Sequence, residues 1–160
     1  MLNGADLVVS FLDSSATVKL YVPERGSTWV TGLLRPPQAD NLFIARITVI
    51  EVAAALFRRV RTLQMSRDEA TEACQALIRD ADSVFQVIDL GPAIVSAALR
   101  VAARHGLRGY DCLQLATVLQ VRTLREGAGL SAVNMVSADA ELNAAASAEG
   151  LAVEDPNQHD

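Results

Sequence analysis

The chain has 160 residues and a mass of 17.1 kDa, a length that fits one compact domain around a single core. With 51% hydrophobic and 21% charged residues and a mean hydropathy of +0.23, it is too apolar to be intrinsically disordered. Its 14 basic and 19 acidic residues leave a net charge of −5, the wrong sign for a protein that coats nucleic acid electrostatically, so any nucleic-acid contact has to be local.

Leu7 to Leu12 is an unbroken apolar run, the pattern of a strand buried on both faces. Asp13-Ser14-Ser15 then cap a helix predicted to run to Val22, before Pro23. A second helix is expected over Gly26 to Leu34, stopped by Pro36-Pro37, and a second strand over Leu42 to Ile47. Thr48 to Leu63 reads as a longer helix with Arg58, Arg59 and Arg61 near its end, where cations suit the dipole. Ser66 and Glu69 form a capping box for a helix to about Asp82. Val84 to Leu90 is an expected strand, and Gly91-Pro92 opens a helix that Gly106 closes. A helix over Asp111 to Arg125, a strand over Ala132 to Val136, a helix over Ala138 to Glu149 ended by Gly150, and a short strand over Leu151 to Val153 complete the order. Short strands alternating with helices predict a parallel sheet covered on both faces. One domain over residues 1–154 and a loose polar tail over 155–160 is the expected organisation.

In such a sheet, ligands bind beyond the carboxyl ends of the strands. Asp13 follows the first strand, and Asp139 follows the Ala132 to Val136 strand. Either could be no more than a helix cap. Glu51 has Ile47 one turn before it and Ala54 and Ala55 one turn after, which puts its carboxylate on or beside an apolar stripe. Its bland account is a Thr48–Glu51 capping box. Asp111 shares the inward face of its helix with Leu115, Val118 and Leu119, and a cap is its bland account too. Four carboxylates at such positions repel one another and raise their own pKa values unless a cation neutralises them. A hard divalent ion, magnesium or manganese, held through oxygen is the natural partner, and phosphate-ester hydrolysis its usual task.

Competing chemistries lack their signatures. The sequence has no G-x-x-x-x-G-K-[ST] or G-x-G-x-x-G phosphate cradle, no G-x-S-x-G elbow, and no D-x-D after the first strand. Cys74 and Cys112 are too few for a disulfide framework, and His105 and His159 too few for a zinc site. Nothing reads as a signal peptide or reaches the ~20 apolar residues of a membrane helix, so a cytoplasmic protein with no membrane contact is expected.

Four segments together resemble the PIN-domain family, in particular the VapC-type toxin ribonucleases of toxin–antitoxin pairs. They are Val9-Ser-Phe-Leu-Asp-Ser-Ser-Ala-Thr-Val-Lys-Leu-Tyr, Thr48-Val-Ile-Glu-Val, Leu107-Arg-Gly-Tyr-Asp-Cys-Leu-Gln-Leu-Ala and Val136-Ser-Ala-Asp-Ala-Glu-Leu. Ser14 and Ser137 stand where the family often has threonine, and Cys112 and Gln114 where it often has alanine and histidine; the Gln114 change leaves room for an altered substrate preference. The resemblance implies a three-layer α/β/α domain with a central, mainly parallel sheet. It also implies a magnesium- or manganese-dependent endoribonuclease whose Asp13, Glu51, Asp111 and Asp139 hold metal, with Ser137 in support. Lys19, about two turns along the first helix, and Arg108 and Arg46, beside two of the motifs, are phosphate candidates; a snorkelling lysine and solvated arginines are their plain alternatives. Tyr110 is expected in the core. A homodimer and a small antitoxin partner are implied as well, with the helix from Thr48 and the one after it as candidate surfaces. Two alternatives stay open: a non-catalytic PIN-like module binding RNA or protein, and a metal-dependent phosphohydrolase acting on a small phosphate ester.

Overall fold

The computed structural model describes residues 8–36 and 41–159. Leu7, Pro37 and Asp160, which figure in the expectations above, lie outside the described residues. Five strands, β1 (Val9–Leu12), β2 (Leu42–Ala45), β3 (Gln86–Ile88), β4 (Val133–Val136) and β5 (Val153–Glu154), form one sheet in the order β3-β2-β1-β4-β5. Every neighbouring pair is parallel, so the sheet is wholly rather than mainly parallel. Helices α1 (Ser14–Thr17), α2 (Ser27–Gly32), α3 (Arg46–Arg61), α4 (Arg67–Ser83), α5 (Pro92–His105), α6 (Gly109–Gly127) and α7 (Ala140–Ala148) connect and cover it.

The period-2 alternation of strand side chains sorts the core into layers. Val9, Phe11, Phe43, Val133 and Met135 pack with Ile94, Val101, Leu115, Val118 and Leu142 of α5, α6 and α7. Leu12, Leu42, Ile44 and Val136 point the other way, to Ala16 and Val30 of α1 and α2. A third cluster joins Val52 and Leu56 of α3 to Ala70 and Leu77 of α4 and to Val18. Among the described residues, no helix is long and apolar enough to cross a membrane.

The strand order also fixes where a ligand can sit. From β1 the chain moves outward through β2 to β3, then returns to place β4 on the other side of β1. The crevice beyond the carboxyl ends of β1 and β4 is therefore the topological switch point, where connections leave in opposite directions.

Strand β3 is shorter than expected, at Gln86–Ile88, β5 lies at Val153–Glu154, and four further departures from the sequence reading bear on the site or the chain's end. The strand expected to Ile47 ends at Ala45, and α3 begins at Arg46 with no side-chain cap. Thr48 and Glu51 thus lie inside the helix, and the expected capping box does not form. The helix expected to Val22 lasts one α turn and then tightens to a 3₁₀ turn over Val18–Leu20. α6 starts at Gly109 with Arg108 at the cap position, so Asp111 is not a cap. Finally, residues 155–159 are not loose: Pro156–Gln158 form a 3₁₀ turn with Pro156 buried, and His159 stacks on Trp29 with ring centroids 4.2 Å apart. Gly26, at φ +82°, lets this turn approach, since a Cβ there would stand 2.5 Å from the Pro156 carbonyl oxygen. The capping box of Ser66 and Glu69 forms as expected, with Ser66 N–H donating to Glu69 (2.7 Å) and Glu69 N–H to Ser66 Oγ (3.1 Å).

Candidate active site

The β1–α1 and β4–α7 junctions are wired together around one buried carboxylate. Asp13 N–H donates to the Val136 carbonyl (3.1 Å), carrying the β1–β4 pairing one residue past the strand. The Asp13 side chain caps α1 by accepting from Ala16 N–H (2.9 Å) and also accepts from the hydroxyls of Ser15 (2.8 Å to Oδ1) and Ser137 (2.8 Å to Oδ2). Ser15 Oγ in turn accepts from Ala138 N–H (2.8 Å), and Ser137 Oγ from Asp139 N–H (3.1 Å). Asp139 caps α7 through Leu142 N–H (2.9 Å). Capping is therefore real for Asp13 and Asp139, and it aims both carboxylates at the switch point.

Asp13 is 2% exposed. Burial pushes its pKa up to about 6; the hydrogen bonds from Ala16, Ser137 and Ser15 oppose the rise, and the charge of Glu51 adds to it. Glu51 is also raised, first by burial and further by Asp111, against hydrogen bonds from Gln114 and Ser14 and the charge of Arg108. The Gln114 amide is buried and spends its N–H donors on Glu51 (2.7 Å) and Thr48 Oγ1 (2.9 Å). Its Oε1 finds no partner among the described residues. A buried orphan acceptor costs about 1–3 kcal/mol, against which stand the two hydrogen bonds that the amide donates.

Arg108 supplies the cationic counterpart. Its guanidinium bridges Asp111 (Nε, 3.0 Å) and Asp139 (Nη2, 3.0 Å) from the solvent side. The four acids, Arg108, Ser14 and Ser15 line one cleft of ≈ 710 Å³, which continues along α3 past Ala54 and Ala55 to Arg58 and Arg59, with Tyr110 and Leu113 on the α6 side. No three Asp, Glu, His or Cys side chains among the described residues stand as a ready ligand set for a metal; Arg108 already holds Asp111 and Asp139. The donor set nonetheless fits a hard cation: four carboxylates and hydroxyls with no nitrogen or sulfur ligand, one carboxylate buried, and a guanidinium paired with two of the others.

Asp13, Glu51, Asp111, Asp139, Ser137 and Arg108 thus converge. Lys19 does not: it is 5% exposed and donates to Glu24 (3.0 Å), the Arg25 carbonyl (2.7 Å) and Asn157 (3.0 Å), a buried structural lysine turned aside by the 3₁₀ geometry. Arg46 pairs with Asp89 (2.8 Å) and does not line the cleft. Tyr110, expected in the core, is 59% exposed on the cleft wall. Sequence reasoning also missed two supports. Ser15 was legible only as a cap-region serine two residues after Asp13, and Gln114 only as a departure from the family's usual histidine bearing on substrate preference, not as a partner of Glu51.

Comparison with known proteins agrees with this fold. The PIN domain family model matches residues 10–147. Ribonuclease VapC49 of Mycobacterium tuberculosis is 30% identical over 111 residues, covering 69% of this chain and 75% of the relative. A crystal structure of PAE2754 from Pyrobaculum aerophilum shares the fold at TM-score 0.64 and 23% identity, over 98% of this chain and 90% of that one. The structure of VapBC2 from Rickettsia felis bound to a promoter DNA fragment aligns at TM-score 0.57 and 15% identity, over 92% and 98% of the two chains, a likeness of fold. With a family model spanning most of its length, this chain belongs to the PIN-domain family.

Proposed function

We propose that the chain is a magnesium- or manganese-dependent endoribonuclease, the toxin of a VapBC-type pair. One observation carries the reading: four carboxylates, including the buried Asp13, share an open cleft in which, among the described residues, the exposed Arg108 is the cation that bridges two of them. Asp13, Glu51, Asp111 and Asp139 would hold the metal. A divalent ion held there would lower the pKa of a water bound to it and offset charge on a phosphoryl oxygen. The chain's own residues prepare the ground. Ser15, Ser137 and Ala16 fix the Asp13 carboxylate, and Gln114 fixes Glu51 while holding down part of the rise in its pKa. Arg108 neutralises Asp111 and Asp139 in the free protein and presents the cleft's nearest positive charge to a phosphate.

The ribonuclease name of the relative at 30% identity supports RNA as substrate. Likeness of fold to toxin–antitoxin complexes supports an antitoxin partner. A homodimer belongs to the same proposal, supported by Ile50 and Phe57, exposed seven residues apart on one face of α3, and by Ile78 on α4. A cytoplasmic location fits that role.

A non-catalytic binding module draws its support from Arg108, which already balances two of the four acids. One assay separates the readings: cleavage of transfer and ribosomal RNA fragments with manganese, with chelator, and by Asp111→Asn. Discrete products that need the ion and vanish in the variant are expected. Equal cleavage by Asp111→Asn, or cleavage that survives chelator, would contradict the proposal.

A further inference from the structure

The cleft extends well beyond the four acids, and two of its residues have no role in holding them. Tyr110 is the most exposed aromatic side chain among the described residues. Phe11, Phe43 and Phe85 are buried, Tyr21 donates to Asp80, and Trp29 stacks on His159. Tyr110 stands on the first turn of α6, next to Asp111, and its ring lines the same cleft. Arg58 lies seven residues after Glu51 on α3, two turns along the same helix face and roughly 10 Å farther down the axis. It lines the far end of the cleft and has no ion-pair partner among the described residues. Its neighbour Arg59 is spent on Glu24 (2.8 Å), and Arg108 on Asp111 and Asp139. Ala54 and Ala55 make the floor between Glu51 and Arg58 low enough for a chain to lie across it.

An exposed ring alone is unremarkable on a protein surface. An exposed ring, an unpaired guanidinium and a carboxylate cluster along one groove are the parts of a strand-binding track: a π-face for an unpaired base, a cation for a phosphate, and chemistry beside them. In a chain of net charge −5, such local contacts have to supply the attraction that the overall field does not. We infer that Tyr110 and Arg58 contact the substrate, Tyr110 by stacking under an unpaired base next to the scissile phosphate and Arg58 by binding a phosphate farther along the same strand. This rests on the ribonuclease reading and adds to it the direction in which the RNA leaves the acids, along α3 toward Arg58.

The test is binding of a short, fluorescein-labelled, mixed-sequence single-stranded RNA to the full chain in chelator, followed by anisotropy over a salt series. The same variants are then assayed for manganese-dependent cleavage. Tyr110→Ala should weaken binding about tenfold, the loss usual for one base–aromatic stack, and raise KM with little change in kcat. Tyr110→Phe should bind within about twofold of wild type, because the ring face and not the hydroxyl makes the contact. Arg58→Gln should reduce the slope of log affinity against log salt by roughly 0.7, the value for one phosphate contact on a single strand. Both side chains are exposed, so thermal unfolding of the variants should match wild type and separate contact from folding. Wild-type binding and cleavage left unchanged by Tyr110→Ala and Arg58→Gln would overturn the inference alone, as would Tyr110→Phe binding as weakly as Tyr110→Ala. Wild-type protein that neither binds nor cleaves RNA would overturn the ribonuclease reading and the inference with it.

Discussion

Asp13 is the residue on which the site turns, because its neighbours hold a carboxylate where burial disfavours charge. Its pKa rises from 3.8 to about 6, so between these values the folded chain keeps a proton that the unfolded chain has lost. A raised carboxyl pKa therefore favours folding at low pH, and that contribution is lost as pH rises through about 6. Above that, the ionised group costs about 3 kcal/mol relative to the unfolded chain. Asp13→Asn removes the titration. In chelator, its stability relative to wild type should increase by up to about 3 kcal/mol between pH 4 and pH 7, whatever the offset from altered hydrogen bonds. Denaturant unfolding at the two pH values measures this, and a difference that stays constant would show that Asp13 ionises freely. The motif order made all four acids and the supporting Ser137 legible in the sequence, yet not the roles of Ser15 and Gln114. Ser15 and Gln114 act across 123 and 63 residues, on Ala138 and Glu51, and no local pattern encodes such contacts. Tyr110 misled for a related reason: a tyrosine on an otherwise inward-facing helix looks like core until the first turn of α6 is seen to open on the cleft.

At the scale of elements, periodicity located nearly every helix and strand, and the failures fall where tertiary contacts outweigh local signals. α3 begins without a capping side chain, so Thr48 and Glu51 mimicked a capping box although both lie inside the helix. The C-terminal segment looked loose because its composition is polar. Its order comes from Gly26, the Trp29–His159 stack and the Lys19–Asn157 hydrogen bond, all distant in sequence. The end of α3 offers a cleaner test. Gln64 N–H donates to the Arg59 carbonyl (2.9 Å) and Leu63 N–H to the Val60 carbonyl (3.1 Å), the paired bonds of a Schellman turn. Leu63 occupies its left-handed position at φ +59° and is 93% exposed. The same turn after α7 uses Gly150, at φ +83°. Leu63→Gly should relieve the backbone strain without losing packing and stabilise the fold by up to about 1 kcal/mol. That corresponds to a Tm rise of roughly 2–4 °C. An unchanged or lower Tm would contradict this account of the turn.

The whole molecule assembles the site from parts that no single element contains. The order β3-β2-β1-β4-β5 places the ends of β1 and β4 side by side, which delivers Asp13 and Asp139 from opposite ends of the chain. α3 and α6 then bring Glu51 and Asp111 to the same cleft. The acidic net charge is no obstacle to such a site, since a cation held at the carboxylates would make the cleft locally attractive to phosphate. Because such an ion binds the folded chain and not the unfolded one, it should also raise stability by mass action, reversing the sign of the Asp13 penalty seen in chelator.

Calorimetric titration of manganese into wild type, Asp13→Asn and Arg108→Gln, at neutral pH without RNA, tests the central claim most directly. Saturable binding is predicted for wild type, loss of that binding for Asp13→Asn, and a few-fold gain for Arg108→Gln, whose guanidinium no longer competes for Asp111 and Asp139. Wild type that binds no divalent ion, or Asp13→Asn that binds it as well as wild type, would contradict the claim that these carboxylates form a metal site.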